Sequence, residues 1–180
     1  KGLKVLEITV KEENLPNLAT EIRTLKPDVI FNALHGGMGE NGVIQGLLET
    51  LKVPYTHSGV SASSIAMNKS ISKKVFLSQN LPVIKGILIR NADLCEEIPI
   101  KPPFVIKPNN GGSSVGVSFV NNMEEFNAIT GKLDKELDYL LEKYIPGREL
   151  SVSVLNNEPL TVTDIITNKW YSYEAKYSPG

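Results

Sequence analysis

The residues best suited to chemistry are a lysine and the loop of small residues that follows it. Lys107 ends the apolar stretch at residues 104–106, and the loop NNGGSSVG occupies residues 109–116. This is not a Walker loop, because the lysine precedes the glycines and no helix is predicted after them. The glycines let backbone N–H groups approach an anion, the serines add hydroxyl donors, and the lysine adds a charge. The segment predicts a phosphate-binding hairpin, although an exposed turn beside a chance lysine would look the same.

A second candidate site is the loop HGGMGENG at residues 35–42. It follows residues 29–34, which have the composition of a buried parallel strand. Ligands of open α/β sheets bind beyond the carboxyl ends of strands, so His35 and Glu40 are placed to meet one. The next helix begins at residue 43, and its N-terminus favours an anionic group. A histidine before glycines is also common in ordinary loops, so the motif alone does not define a function.

A third candidate is the segment EKYIPGRE at residues 142–149. Alternation places Glu142 and Tyr144 on one face of a strand, and the Pro-Gly pair after them turns the chain. Backbone N–H and C=O groups left free at such a hinge can bind the edge of a purine, and Glu149 can hold ribose hydroxyls. A surface hairpin with paired charges is the competing interpretation.

The fourth candidate is WYSYEAKY at residues 170–177, where aromatic residues and a lysine follow no period. Such a segment is typical of a lid that closes over a ligand and excludes water. Packing of aromatic residues between domains is the alternative.

The elements that must position these residues change in type along the chain. In the first part, strands at 3–10, 29–34 and 53–56 alternate with helices at 15–25 and 43–51, which predicts a small α/β layer with a parallel sheet. A helix at 61–79 follows, and the switch indicates a domain boundary near residues 57–66. In the second part, turns such as 156–159 predict an α+β fold with an antiparallel sheet. This part begins with a change of texture at residues 82–89. Its elements are strands at 104–107, 115–120, 139–145, 149–156 and 160–166 and a helix at 123–133.

Composition narrows the class of protein. Nineteen basic and twenty acidic residues give a net charge of −1, which offers no electrostatic footprint for nucleic acid. The longest apolar runs fall far short of the roughly 20 residues of a membrane span, and the strand-like start predicts no signal peptide. The single cysteine, Cys95, excludes an internal disulfide and fits a reducing compartment, so we expect a cytoplasmic protein in which it is unreactive.

Taken together, these segments resemble the D-alanine–D-alanine ligase family of the ATP-grasp superfamily, in the family's order and over nearly the whole chain. The resemblance implies domains at 1–60 and 61–180, the first incomplete at its start and the second at its end. A piece of this kind is expected to be inactive alone. The motifs that carry the resemblance are ALHG (33–36), GENG (39–42), MNK (67–69), KP (107–108), GSSVG (112–116), EK (142–143) and YEAKY (173–177).

The resemblance implies that ATP is bound mainly by the second domain. Lys69 and Lys107 would contact its phosphates, and Lys176 would reach them when the lid closes. Glu142 and the backbone of Ile145 would hold adenine. The ribose would be held by Glu149, and the mobile flap over the phosphates would consist of Ser113, Ser114 and Val115.

The same resemblance implies a catalytic group of Ser113, Tyr177 and Lys176, in which Ser113 and Tyr177 help to position the second substrate. His35 and Glu40 would line the substrate pocket. ATP would phosphorylate the carboxylate of one D-alanine, and the amine of a second would displace phosphate, giving a peptidoglycan precursor.

The remaining expectations concern the metal, the assembly and the alternatives. Mg²⁺, or alternatively Mn²⁺, would assist the reaction, and the resemblance places its ligands beyond Gly180, so no metal-binding residue is predicted in this chain. The enzyme would be a homodimer. The alternatives are a D-alanine–D-lactate or other ATP-grasp ligase, or a non-catalytic nucleotide-binding relative.

Overall fold

The computed structural model describes residues 2–90 and 98–166, apart from the side chain of Glu12. The chain forms two compact units, residues 1–67 and the residues from 68 onward. The helix at residues 60–67 belongs to the first unit, while the division into domains between residues 60 and 61 stays a prediction. Within the described ranges, no helix is long and apolar enough to cross a membrane.

The first unit consists of short helices around a small apolar core. The helices are α1 (Leu15–Leu25), α2 (Gly37–Glu40), α3 (Val43–Leu51) and α4 (Val60–Met67). Leu18 and Ile22 of α1 pack with Ile44 and Leu48 of α3 in this core. Each pair is spaced four residues apart, which places both side chains on the same face of its helix. The predicted helices at 15–25 and 43–51 are therefore confirmed.

Strand pairing in the described part of the first unit is limited to a parallel bridge between Ile30 and Tyr55. The parallel direction agrees with the prediction for residues 29–34 and 53–56, but the pairing is much shorter than either stretch. Residues 3–10 were predicted as a strand and are assigned none. Alternating apolar residues make a strand only where a neighbour completes the ladder of backbone hydrogen bonds.

The predicted helix at 61–79 is interrupted at Asn68. This residue is extended, with φ −102° and ψ 102°, and a new helix α5 (Lys69–Ser78) begins directly after it. The side chain of Asn68 accepts a hydrogen bond from the backbone N–H of Ile71 at 3.0 Å. This is the contact of a helix N-cap, and it satisfies a donor that the first turn of α5 would otherwise leave unpaired. The continuous helix was therefore wrong.

The second unit is built on a four-stranded antiparallel sheet. Its further elements are β1 (Gly86–Ile89), β2 (Phe104–Pro108), β3 (Ser118–Val120), α6 (Met123–Thr130) and β4 (Tyr139–Lys143). The strand order is β1-β4-β2-β3, so the last strand in sequence lies between the first two. Residues 139–142 of β4 are all buried. Phe104 of β2 and Phe126 of α6 meet edge to face at 5.6 Å and anchor the helix on the sheet.

A separate hairpin follows the sheet and consists of β5 (Glu149–Leu155) and β6 (Glu158–Ile165). Asn156 and Asn157 in its turn have φ values of 51° and 65°. A two-residue hairpin turn of this kind requires left-handed backbone at both positions, and asparagine tolerates it. The two predicted strands and the turn are therefore confirmed to within two residues.

Candidate functional site

A cavity of about 380 Å³ opens in the second unit. It is bounded by the start of α5, by β2 and the loop after it, and by the segment that joins β4 to β5. Of the residues that the sequence predicts to bind ATP, Lys176 lies outside the described residues. The others all line this cavity, and they are Lys69, Lys107, Ser113, Ser114, Val115, Glu142, Ile145 and Glu149.

Lys69 connects the start of α5 to the loop after β2. Its ammonium group donates hydrogen bonds to the carbonyl oxygens of Pro108 and Gly111, both at 2.8 Å. Burial lowers the pKa of Lys69, and the nearby charge of Lys107 lowers it further, while Glu142 opposes them. The positive charge of Lys69 is therefore held at the base of the glycine–serine loop.

A pair of asparagine side chains fixes Lys69 in place. Asn109 is 2% exposed, and its amide donates to the Asn68 side-chain oxygen at 3.1 Å. The Asn109 side-chain oxygen accepts from the Ser70 N–H at 3.0 Å. The backbone N–H of Lys69 donates to the carbonyl of Asn109 at 2.9 Å. We call Asn68 and Asn109 the asparagine clasp, and it joins the first turn of α5 to the end of β2.

Glu142 lies at the centre of the charged part of the cavity. Its side chain is 8% exposed and forms ion pairs with Lys73 through Oε1 and with Lys107 through Oε2. Val105 is the neighbour of Glu142 in the β2–β4 register, so Lys107, two residues on, lies on the same face. Lys73 belongs to none of the sequence motifs described above. Its spacing of four residues from Lys69, on the same face of a helix, was the available signal.

Burial by itself raises the pKa of Glu142. The hydrogen bonds and charges of Lys107 and Lys73 outweigh burial, so the pKa lies below its ordinary value of 4.5. A carboxyl group with a lowered pKa stabilises the fold above its unfolded pKa, and this stabilisation is lost as the pH falls through the folded pKa.

We therefore expect Glu142→Gln to lower the free energy of unfolding at neutral pH by about 1.5–3 kcal/mol, the value of a hydrogen bond to a charged group. The unfolding free energy of the variant should also fall less than that of the parent as the pH drops below 4.5. Urea unfolding from neutral to acidic pH measures both effects. Parallel curves for the two proteins would show that the two lysines do not stabilise the ionised carboxylate.

Gly86 makes room for the Glu142 side chain. The two residues are neighbours in the β1–β4 register. A Cβ atom on Gly86 would lie 2.8 Å from Glu142 Cγ and 2.8 Å from the carbonyl oxygen of Leu141. Both distances are too short for a real Cβ atom, so only glycine fits at position 86, opposite Glu142.

Gly86→Ala is expected to reduce the unfolding free energy by about 1–3 kcal/mol, as overpacking does elsewhere. Gly131→Ala is the matched control, because a Cβ at Gly131 meets nothing within 4 Å. Thermal unfolding of both variants beside the parent tests the difference. Equal melting temperatures for the two variants would contradict the steric role of Gly86.

The loop after β2 is a series of left-handed residues. Gly111, Ser113, Ser114 and Gly116 have φ values of 96°, 53°, 61° and 69°. The Val115 N–H donates to the Gly112 carbonyl at 3.1 Å and closes a turn. These turns delay the next strand, so the strand predicted at 115–120 is wrong in its first half. The loop carries backbone donors and hydroxyls along one side of the cavity.

The segment after β4 supplies backbone groups to the cavity. Glu149 begins β5, and Arg148 beside it pairs with Asp164 at 2.8 Å. Ile145 is 54% exposed. In the part of the chain that the structure describes, neither backbone group of Ile145 makes a hydrogen bond. The N–H of Tyr144 does, donating to the Pro103 carbonyl at 3.1 Å.

The predicted substrate-pocket residues belong to the first unit. His35 is exposed, and Glu40 accepts a hydrogen bond from the Gly36 N–H at 2.7 Å. The glutamate thereby closes the glycine loop in which both residues lie. Their role in a substrate pocket stays a prediction.

Several predictions fall on residues outside the described ranges. These are the catalytic residues Lys176 and Tyr177, the lid at 170–177 and Cys95. Gly180, beyond which the metal ligands were expected, is also outside the described residues, so the structure does not test where those ligands lie. In residues 2–90 and 98–166, no cluster of three or more His, Cys, Asp or Glu side chains could hold a metal ion.

Solved structures share this architecture. One of D-alanine–D-alanine ligase from Bacillus anthracis matches with a TM-score of 0.73 and 30% identity, over 86% of this chain and 50% of its own. The same enzyme complexed with ATP matches with a TM-score of 0.71 and 27% identity, over 86% and 54%. The chain therefore has the ATP-grasp fold, and the predicted fold class is confirmed.

The sequence comparisons narrow this class. The family models "D-ala D-ala ligase N-terminus" and "D-ala D-ala ligase C-terminus" match residues 5–58 and 82–180. The chain belongs to the D-alanine–D-alanine ligase family. The D-alanine–D-alanine ligase of Ruegeria sp. TM1040 is 45% identical over 100% of this chain and 57% of its own length. That of Cereibacter sphaeroides ATCC 17029 is 48% identical over 92% and 53%. The chain thus spans little more than half the length of these relatives.

Proposed function

We propose that the protein is an ATP-dependent ligase that joins two D-alanine molecules in the synthesis of a peptidoglycan precursor. The observation that carries the proposal is the cavity of the second unit, where lysines from two elements meet a loop of glycines and serines. Family membership supports the choice of reaction, because relatives with 45% and 48% identity are named D-alanine–D-alanine ligase.

Lys69 and Lys107 are proposed to neutralise the phosphates of ATP. Phosphoryl transfer requires charge stabilisation on the transferring group more than covalent help from the protein. The loop of Ser113, Ser114 and Val115 would cover the phosphates and direct N–H and O–H donors at them. This assignment is supported by the two bonds from Lys69 to the base of the loop.

Adenine and ribose would lie along the segment after β4. The backbone of Ile145 is proposed to bind the edge of the base, because its N–H and C=O have no partner within the described residues. Glu142 would accept a hydrogen bond from the base amine. Glu149, which lines the same cavity, would hold the ribose hydroxyls.

The reaction would proceed in two steps. The terminal phosphoryl group of ATP is transferred to a carboxylate oxygen of the first D-alanine, which gives an acyl phosphate and ADP. The amine of the second D-alanine then attacks the acyl carbon, loses a proton and displaces phosphate. Ser113, Tyr177 and Lys176 would assist as the catalytic group, and His35 and Glu40 would line the substrate pocket. Water must be excluded, because it would hydrolyse the acyl phosphate.

Mg²⁺, with Mn²⁺ as an alternative, belongs to the proposal as the partner of ATP, with its ligands beyond Gly180. The described residues provide no cluster of ligands for the metal ion, and none of the residue functions proposed above depends on a contact with it. A homodimeric assembly and a cytoplasmic location are further proposals, which light scattering and cell fractionation would test.

The proposed function is tested with the full-length protein encoded by the reading frame. With ATP, Mg²⁺ and D-alanine, we expect ADP and phosphate to form in equal amounts and the dipeptide to be found by mass spectrometry. Offering D-lactate as the competing acceptor separates a peptide ligase from a depsipeptide ligase. ATP binding without ADP formation in the presence of D-alanine would contradict the proposal and favour a non-catalytic relative.

A further inference from the structure

Both carboxylate oxygens of Glu142 are occupied by lysines. Lys73 binds Oε1 and Lys107 binds Oε2, and the side chain of Glu142 is 8% exposed. The proposed function, on which this inference rests, requires Lys107 at the phosphates of ATP and Glu142 at the base amine. Lys107 on Oε2 competes with both contacts, because it draws its own charge away from the phosphates and takes up an acceptor that the base amine needs.

The two lysines are held unequally. Lys73 donates to the Ile84 carbonyl oxygen as well as to Glu142. Lys107, within the described residues, is paired with Glu142 only, and its side chain is 25% exposed against 18% for Lys73. Release of Lys107 therefore breaks one contact, whereas release of Lys73 breaks two.

A buried carboxylate cannot lose its counter-charges without cost. If both lysines left, Glu142 would be an unpaired charge on a side chain that is only 8% exposed, which is strongly unfavourable. With Lys73 in place, the carboxylate keeps one ammonium partner, and Oε2 becomes an acceptor that a neutral N–H donor can satisfy.

We propose that Lys73 is a positioning residue that holds Glu142 while the amine at C6 of adenine replaces Lys107 on Oε2. The base amine donates the hydrogen bond that the ammonium gave up, and the freed charge of Lys107 moves to the phosphates. Recognition of the base and assembly of the phosphate site then occur together, in one exchange of hydrogen-bond donors on Oε2. Lys73 sets nucleotide specificity through this exchange without touching the nucleotide.

The exchange distinguishes purines by what they carry at C6. Hypoxanthine has an oxygen there, which accepts hydrogen bonds and cannot replace a donor on Oε2. With ITP, Lys107 therefore either stays bound to Glu142, or it leaves and Oε2 remains without a hydrogen-bond donor. The preference for ATP over ITP should depend on Lys73, even though ATP and ITP carry the same phosphates.

The test measures kcat/KM for ATP and for ITP in the full-length protein at saturating D-alanine. Lys73→Met is expected to reduce the ATP-to-ITP preference by about tenfold, which corresponds to about 1.4 kcal/mol. Lys73→Arg should retain most of the preference, because it keeps the charge. Lys74→Met is the matched control on the exposed side of the same helix and should leave the ratio unchanged.

A parallel loss with both nucleotides, at an unchanged ratio, would overturn the proposal, because a merely structural ion pair affects the two equally. If Lys73→Met does not fold, Lys73→Gln is measured in its place and read in the same way. Failure of the parent protein to form ADP with D-alanine would instead refute the proposed function, so the two failures are distinguishable.

Discussion

Replacing Lys69 with alanine is expected to weaken ATP binding to the full-length protein by about 1.5–3 kcal/mol, the range for a hydrogen bond to a charged group. The variant would lose a charge at the proposed phosphate site and also both bonds that tie the loop to α5. Lys107→Ala should lower affinity by a similar amount, since Lys107 lies across the same cavity. Isothermal titration calorimetry measures both variants.

Lys74→Ala is the control for these measurements, because Lys74 lies on the same helix and is exposed. It should bind ATP as the parent does. Unchanged affinity in both Lys69→Ala and Lys107→Ala would show that the cavity does not bind the phosphates, whatever else it binds.

Asn109→Ala is expected to lower the free energy of unfolding by about 2–4 kcal/mol, because it removes two hydrogen bonds between the buried amide and part-buried partners, at about 1–3 kcal/mol each. The Ser70 N–H would lose its acceptor, and the Asn68 side chain would lose one of its donors. With the asparagine clasp broken, α5 is tied less firmly to the end of β2 and Lys69 keeps only its backbone contacts to the loop, so ATP affinity should fall as well. Urea unfolding and calorimetry together measure both losses.

Asn110→Ala provides the comparison for the clasp. Asn110 is the next residue along the chain and its side chain is exposed, so its removal should change stability by less than about 0.5 kcal/mol. An equal loss of stability in the two variants would mean that the effect belongs to the loop as a whole and not to the buried amide.

Local patterns in the sequence predicted α1 and α3 well. The spacing of Leu18 and Ile22 and of Ile44 and Leu48 produces one apolar face in each helix. This apolar face indicates which stretches of the chain form α1 and α3. The hairpin of β5 and β6 was also predictable, because asparagine tolerates the left-handed backbone that both positions of its turn adopt. The secondary structure of such elements can be predicted from their own residues.

The site depends on contacts that local patterns do not contain. Asn68 looks like a residue inside a helix until its side chain caps the next one and binds Asn109, 41 residues along the chain. Lys73 gains a role only because β4 inserts between β1 and β2 and brings Glu142 beneath α5. The residue pattern supplied Lys107 and Glu142 as candidates and the family resemblance added Lys69. Neither gave a reason to expect that Glu142 would pair with two lysines.

The backbone of the loop after β2 limits how its sequence can vary. Ser113 and Ser114 are both left-handed, a conformation that costs a residue other than glycine roughly 1–2 kcal/mol. Threonine would keep the hydroxyl group at either position, but its branched Cβ makes positive φ a genuine outlier. In a library of variants selected for growth, threonine should therefore be recovered at these two positions far less often than serine, although it keeps the hydroxyl group. Selection at the loop would act on the handedness of the chain as well as on its side-chain chemistry.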